Sequence, residues 1–280
     1  MRRRNMAHTK REMGSDAGIG GLRMNGKLTI YDWFGYDIPI TERYRLIKQA
    51  GFDGVLLWWS NTLDRGDYRR GPQIARDAGL FVENIHTPFQ VQDNIWLDNL
   101  QGEAAVECYL QCISDCAEFN IPTMVLHLPD DDKPYNGLGL DRMKRLADTA
   151  EKRNVNVALE NLNNCGNLSF MLQQVDSDRI GFCYDCCHHY NYCPEKDLLA
   201  AYGSRMMALH LHDTESGNIH QIPLDGTLDW PGIMKQITAT GYIGATAIEA
   251  MNWNYPHLTA HEYLHRAYDS AVRLEELRRK

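Results

Sequence analysis

An α/β fold, a single (β/α)8 TIM barrel, is predicted for this chain by three observations. The first is length: 280 residues with no break in composition suit one barrel domain, which typically takes about 250. The second is a sustained alternation of short apolar runs with helix-periodic segments from residue 28 onward, the pattern of parallel strands covered by crossover helices. The third is chemical. Residues 155–159 run into Glu160, 180–184 into Asp185, 206–209 into His210 and 245–248 into Glu249. In a barrel such residues share one rim, because reactive side chains collect at the carboxyl ends of the strands.

The elements follow in order. Residues 28–31 form the opening strand, and 40–50 carry helical spacing, with Thr41 as the N-cap and Gly51 as the stop. Residues 54–58 make the second strand, 68–78 a helix ending at Gly79, and 80–85 the third strand. A long helix of good formers spans 102–119, strand four 123–126, the next helix 139–153 and strand five 155–159. A short helix at 169–175 leads to strand six at 180–184, then come a helix near 195–202 and strand seven at 206–209. The helix 230–240, the strand 245–248 and the helix 261–278 complete eight pairs. No glycine-rich GxGxxG turn follows the first strand, which argues against a dinucleotide-binding sheet. Residues 1–23, basic and Gly-rich without hydrophobic periodicity, read as a disordered extension, leaving 24–280 for the barrel.

Composition narrows the function classes. A formal charge of −8 gives no electrostatic footprint for nucleic acid, whose phosphates demand clustered Lys and Arg. No apolar run reaches the ~18 residues of a membrane span, and no secretory signal opens the chain, so a soluble cytoplasmic protein is expected. Eight cysteines in such a setting are expected to stay reduced. Cys108, Cys112 and Cys116, four apart, line one helix face and read as small core hydrophobes. Cys183, Cys186, Cys187 and Cys193 surround Asp185, but their spacing is unlike that of a cysteine zinc knuckle.

Glu160 and Glu249 stand among apolar neighbours at strand ends, where a carboxylate must be paired, metal-bound or protonated. A barrel-mouth salt bridge would explain either one alone. Their occurrence with Asp185 and His210 at matching ends favours a divalent metal site. His212, two residues past His210 and on the same strand face, is the rival ligand, and Asp213 is expected to orient the neighbouring His. His188, three past Asp185, belongs in a loop over the site as a ligand or substrate contact, and His86 and His127 end strands three and four as substrate contacts. Trp58, Trp59, Phe89, Trp96 and Trp253 suit the uncharged face of a carbohydrate. No phosphate cradle marks the late strands, which favours an unphosphorylated sugar or polyol.

Several segments carry a resemblance. Leu209-His210-Leu211-His212-Asp213, the run from His220 to Trp230, the Glu160-Asn161 pair and Asp185-Cys186-Cys187-His188 resemble the xylose-isomerase-like superfamily, most closely its sugar phosphate isomerases and epimerases. The resemblance implies metal ligands at Glu160, Asp185, His210 and Glu249, with His210 preferred because the family ligand stands three residues before an acid. It implies one Mn, Mg, Co or Zn ion, an enediolate intermediate, Glu160 and Glu249 as the catalytic acid and base, and substrate contacts including His188, His220 and Trp253. Homo-oligomers are common in the family. Ser216 stands where ketose 3-epimerases carry a substrate-binding Arg. A zinc endonuclease IV is the alternative, since His86, His127, Glu160, Asp185, His188, His210, His220 and Glu249 keep its order, but Asn218 replaces an Asp ligand. A barrel that binds a polyol without turning it over is the non-enzymatic alternative. Deleting residues 1–23 should leave activity and melting temperature unchanged, as paired assays of the two chain lengths would show.

Overall fold

The computed structural model describes residues 26–60 and 68–280; the expected extension at 1–23 lies outside them. Strands β1 (Leu28–Tyr31), β2 (Gly54–Trp58), β3 (Phe81–His86), β4 (Thr123–His127), β5 (Asn156–Glu160), β6 (Ile180–Asp185) and β7 (Met206–His210) pair in sequence order, all parallel. A hairpin of β8 (Asp213–Glu215) and β9 (Asn218–Gln221) stands apart, and β10 (Thr246–Ile248) pairs with β1. The ring closes just past β7. Leu211 N–H donates to Ala247 O at 3.0 Å and Glu249 N–H to Leu211 O at 3.0 Å. This is the barrel expected, its last join being a parallel bridge between Leu211, just past β7, and Ile248 of β10.

Helices α1 (Ile40–Ala50), α2 (Gly71–Asp77), α3 (Leu100–Glu118), α4 (Gly137–Arg153), α5 (Cys165–Gln174), α6 (Cys186–Tyr192), α7 (Leu198–Tyr202), α8 (Trp230–Ala239) and α9 (Ala260–Arg278) form the outer layer and its rim extensions. Among the described residues no helix is long and apolar enough to cross a membrane. Residues two apart on a strand share a face, and this places the site. Val125, Ala158, Cys183 and Ala208 form one small buried cluster inside the barrel. Their i+2 partners are His127, Glu160, Asp185 and His210, so the layer bearing the candidate site residues lies directly above a layer of small, neutral side chains.

Departures from the sequence reading have local causes. Helix α1 spans the residues expected, Ile40–Ala50, but its N-cap is Pro39, not Thr41, because the fixed φ of Pro39 (−54°) suits the position just before a helix. Helices α3 and α4 each begin two residues early, where Asn99 and Asn136 accept the N–H of Gly102 and Gly139 at 2.9 and 2.8 Å. Helix α5 begins at Cys165, four residues earlier than expected, since Asp131, distant in sequence, accepts the first-turn N–H groups of Gly166 and Asn167 at 2.7 and 2.8 Å. The stretch after Asp185, expected as a loop, is α6, because the Asp185 carboxylate caps it by accepting His188 N–H at 2.7 Å. Ser216 and Gly217, both at positive φ (53° and 84°), make the tight turn of the unforeseen β8–β9 hairpin.

Two expectations about individual side chains are corrected. Cys165 and Cys193 are disulfide-bonded, because the start of α5 lies beside the end of α6, with the two Cα atoms 6.8 Å apart. The other six cysteines are free, and of the α3 trio Cys112 and Cys116 are buried while Cys108 is half-buried. Asp213 does not orient a histidine. Its carboxylate accepts the N–H of Thr214 (2.9 Å), Leu224 (2.9 Å) and Leu228 (3.2 Å) and the Trp230 indole N–H (2.7 Å), tying the chain from β9 to α8 into one loop. Asp213→Ala should therefore lower unfolding free energy by about 2–5 kcal/mol, since several buried donors lose their acceptor; urea denaturation would measure it.

Candidate metal centre

Glu160, Asp185 and His210 are the last residues of β5, β6 and β7, and Glu249 follows β10 directly. Their ligand atoms all lie within 4.8 Å of one another. His210 Nδ1 stands 3.1 Å from Glu160 Oε2 and 3.0 Å from Glu249 Oε2. It has no hydrogen-bond partner although fully buried, and the same holds for His188 Nδ1, 3.3 Å from both Glu160 Oε1 and Asp185 Oδ2. Glu160 is 1 % exposed, Asp185 0 % and Glu249 5 %. Among the described residues their ion-pair partners are all histidines, with no Lys or Arg. Three buried carboxylates without a fixed cation cost several kcal/mol each unless a positive charge joins them. Orphaned nitrogens and clustered carboxylates together fit a divalent cation.

The electrostatics follow from that crowding. Burial disfavours the charged form of Glu160, yet the His210 and His127 rings override it and hold its carboxyl well below the usual range. Asp185 and Glu249 are likewise lowered against burial, by His188 and His212 in the first case and by His210 in the second. Burial pushes His210 down, but the Glu249 and Glu160 carboxylates lift it well above an ordinary imidazole. Burial raises the Cys183 thiol, beneath the site, to about 12, so it stays neutral.

The remaining sequence-predicted residues divide clearly. His86 Nδ1–H donates to Thr87 O (3.0 Å) and His127 Nδ1–H to Gln92 Oε1 (3.0 Å). Their Nε2 atoms therefore face each other at 3.1 Å, with His127 Nε2 also 3.0 Å from Glu160 Oε2. Burial keeps His127 below the ordinary value despite Glu160. His188 lies in the first turn of α6 and not in a loop. His220 Nδ1–H donates to Glu249 O at 3.0 Å, and burial lowers its pKa to about 4. His212 is not in the four-residue cluster. Its Nε2 is 2.9 Å from Asp185 Oδ2, and its Nδ1 accepts His220 N–H at 3.0 Å. The N–H aimed at Nδ1 leaves room for one ring proton, on Nε2.

Among the aromatics, Trp58 packs with His86 (5.6 Å) and Phe89 (5.0 Å) at the mouth, and Trp253, 59 % exposed, meets His220 edge-on at 5.4 Å. Trp59 and Trp96 do not belong to the rim. Trp59 is buried against Tyr68 and Phe119 with its N–H on Asp115, and Trp96 donates to Lys133 O and packs against Gly139. Both follow strand or loop ends in sequence, yet their rings turn outward into the helical layer. Sequence reasoning missed Tyr31, the last residue of β1, whose ring lies 6.0 Å from His86 and whose pKa is raised by burial and then by Glu249. Applying the strand-end rule to all eight strands would have found it. Asn161 has a role that its sequence motif does not reveal: its side chain accepts Asp185 N–H (2.9 Å) and donates to Asp185 O (2.8 Å), continuing the β5–β6 pairing beyond the last strand bond.

A family model described as xylose isomerase-like TIM barrel matches residues 44–267. The chain belongs to this family. An uncharacterized protein, y4fM, of Sinorhizobium fredii is 27 % identical over 300 residues, covering 91 % of this chain and 96 % of the relative. An inosose isomerase of Halalkalibacterium halodurans is 29 % identical over 146 residues, 46 % of this chain and 51 % of that protein, so the match spans about half of each. The solved structure of an IolI protein with a bound zinc atom superposes with a TM-score of 0.72 at 16 % identity, covering 89 % of this chain and 98 % of that one. At that identity the likeness concerns the fold alone.

The raised His210 pKa has a testable sign. Its proton adds stability fully present below about pH 6.5, the unfolded imidazole value, and lost as pH rises through the higher folded value. A cation taking Nδ1 must displace that proton. Calorimetric titration of Mn(II) or Zn(II) in buffers of different ionisation enthalpy should show proton release near pH 7 and affinity that rises with pH.

Proposed function

We propose that this protein is a divalent-metal-dependent isomerase or epimerase of an unphosphorylated ketose, inosose or related polyol. The observation that carries the reading is the approach of two carboxylates, Glu160 from β5 and Glu249 from beyond β10, to within 3.1 and 3.0 Å of one His210 nitrogen. A divalent cation held by Glu160, Asp185, His210 and Glu249 would supply positive charge where oxygen gains charge in an enediolate. The proton chemistry belongs to the chain. Glu160 and Glu249 stand on different strands and reach the same small volume from two sides, as removal and return of a carbon-bound proton requires. Return to the opposite face gives an epimer; return to the neighbouring carbon gives an isomer.

The surrounding residues suit a neutral, hydroxyl-rich substrate. His220 has a ring nitrogen, Nε2, outside its bond to the Glu249 carbonyl, and serves a sugar hydroxyl. Trp58, Phe89 and Trp253 offer apolar ring surface for the C–H face of a sugar, with His86, His127 and His188 between them and the carboxylates. The inosose isomerase among the relatives supports this substrate class, and the −8 net charge disfavours a polyanion.

A second reading, a multi-ion phosphoester hydrolase of the endonuclease IV type, is favoured by one observation: the facing Nε2 atoms of His86 and His127 beside Glu160. Elemental analysis separates the two, about one ion per chain for the isomerase and near three zinc ions for the nuclease. Glu160→Gln and Glu249→Gln should each lower turnover at least 1,000-fold while leaving the melting temperature within a few degrees, because each removes one proton carrier. Deuterium uptake from heavy water into a panel of ketoses and inososes is the readout. Full exchange in either variant would sink the two-carboxylate chemistry, and no exchange even in the unsubstituted chain, with polyol binding kept in both variants, would support a barrel that only binds its polyol.

A further inference from the structure

Three imidazoles, His188, His212 and His220, cluster beside the four-residue centre and by composition suggest a second metal. The ring geometry argues otherwise. His212 and His220 stack with centroids 4.2 Å apart and planes 19° from parallel, so their in-plane lone pairs run in parallel planes and do not converge on one ion. Both His212 nitrogens are also engaged: Nδ1 by the His220 backbone N–H at 3.0 Å, Nε2 by Asp185 Oδ2 at 2.9 Å.

We infer that His212 is a positioning residue that clamps the metal ligand Asp185 and the substrate-facing His220 to each other. The inference rests on the metal centre proposed above. A backbone N–H can only donate, so Nδ1 of His212 is the acceptor and its single ring proton sits on Nε2, directed at Asp185. Asp185 Oδ1 is held by His188 N–H at 2.7 Å and Oδ2 by His212, which fixes the rotation of the carboxylate and leaves each oxygen a further lone pair toward the centre. At its other nitrogen His212 holds His220, a residue at φ +58° at the end of the hairpin bearing the turn Ser216-Gly217. The left-handed conformation of a non-glycine residue is strained by about 1 kcal/mol or more, and three bonds to His220, from its N–H to His212, from its ring to Glu249 O and from Met251 N–H to its carbonyl, hold it there. His212 is fully buried and reaches solvent from neither side. Partners that orient a ligand in this way typically change metal affinity 10- to 100-fold when removed.

Two substitutions separate the halves of the clamp. In His212→Asn the side-chain oxygen replaces Nδ1 and keeps the acceptor for His220, but the donor to Asp185 is lost. In His212→Gln the side-chain nitrogen replaces Nε2 and keeps the donor to Asp185, but the acceptor is lost. Each chain is titrated with Mn(II) alone by calorimetry, and hydrogen exchange of the His220 amide is followed by NMR. Affinity for Mn(II) should fall roughly 10- to 100-fold in His212→Asn and stay near the unsubstituted level in His212→Gln, while the His220 amide is deprotected only in His212→Gln. Equal affinity in the unsubstituted chain and His212→Asn would overturn the inference alone, as would equal losses in both variants accompanied by a lowered metal-free melting temperature. An unsubstituted chain that binds no Mn(II), Zn(II) or Co(II) would overturn it together with the metal centre.

Discussion

Three carboxylates meet at the barrel rim with no lysine or arginine to answer them among the described residues, and the local structure is organised around that constraint. Glu160 alone lies within 3.5 Å of His86, His127, His188 and His210. A guanidinium would neutralise the acids permanently. An imidazole neutralises them only while it holds a proton and otherwise offers a lone pair, so a histidine-rich setting keeps the charge exchangeable between a proton and a cation. The small layer of Val125, Ala158, Cys183 and Ala208 beneath contributes no competing charge, since the Cys183 thiol is held neutral.

The clustered side chains owe their positions to bonds that serve the fold as well. Asp185 is at once the end of β6, the cap of α6 and a member of the carboxylate cluster, so the geometry of one carboxylate sets both the start of a helix and one corner of that cluster. Asn161 bonds both backbone groups of Asp185 from the neighbouring strand, which prevents the strand end from fraying where the ladder stops. Asp213 keeps four donors of the following loop, and through it the β8–β9 hairpin, at a fixed distance from β7. Rigidity of this kind is what a proton-transfer site needs, because misplacement by an ångström sacrifices most of the advantage of orientation.

The sequence was legible where the signal is local. Eight strands and the convergence of Glu160, Asp185, His210 and Glu249 follow from short apolar runs ending in ligand residues, a pattern carried within five or six positions. What stayed hidden depends on partners distant in the chain. The early start of α5 rests on Asp131, about 35 positions away, and the Cys165–Cys193 bond on the adjacency of two helix ends. Trp59 and Trp96 look like rim aromatics in one dimension, and only the direction of their side chains, fixed by Asp115 and Lys133, removes them from the mouth. The choice between His210 and His212 is similar. Both lie near the same rim, and it is the engagement of both His212 nitrogens that leaves His210 as the candidate of the two.

The same logic bears on what the mouth can admit. Glu160, Asp185 and Glu249 bring three negative charges, and one divalent cation offsets two of them. A phosphate entering that site would bring further negative charge with no lysine or arginine ion-paired at the carboxylates to meet it among the described residues, in a buried setting where screening is weak. A neutral polyol avoids this cost. Its hydroxyls can meet imidazole nitrogens, and its C–H faces the rings of Trp58 and Phe89, which stand 5.0 Å apart at the entrance. Charge balance, more than the shape of the mouth, therefore points the proposed chemistry toward uncharged sugars.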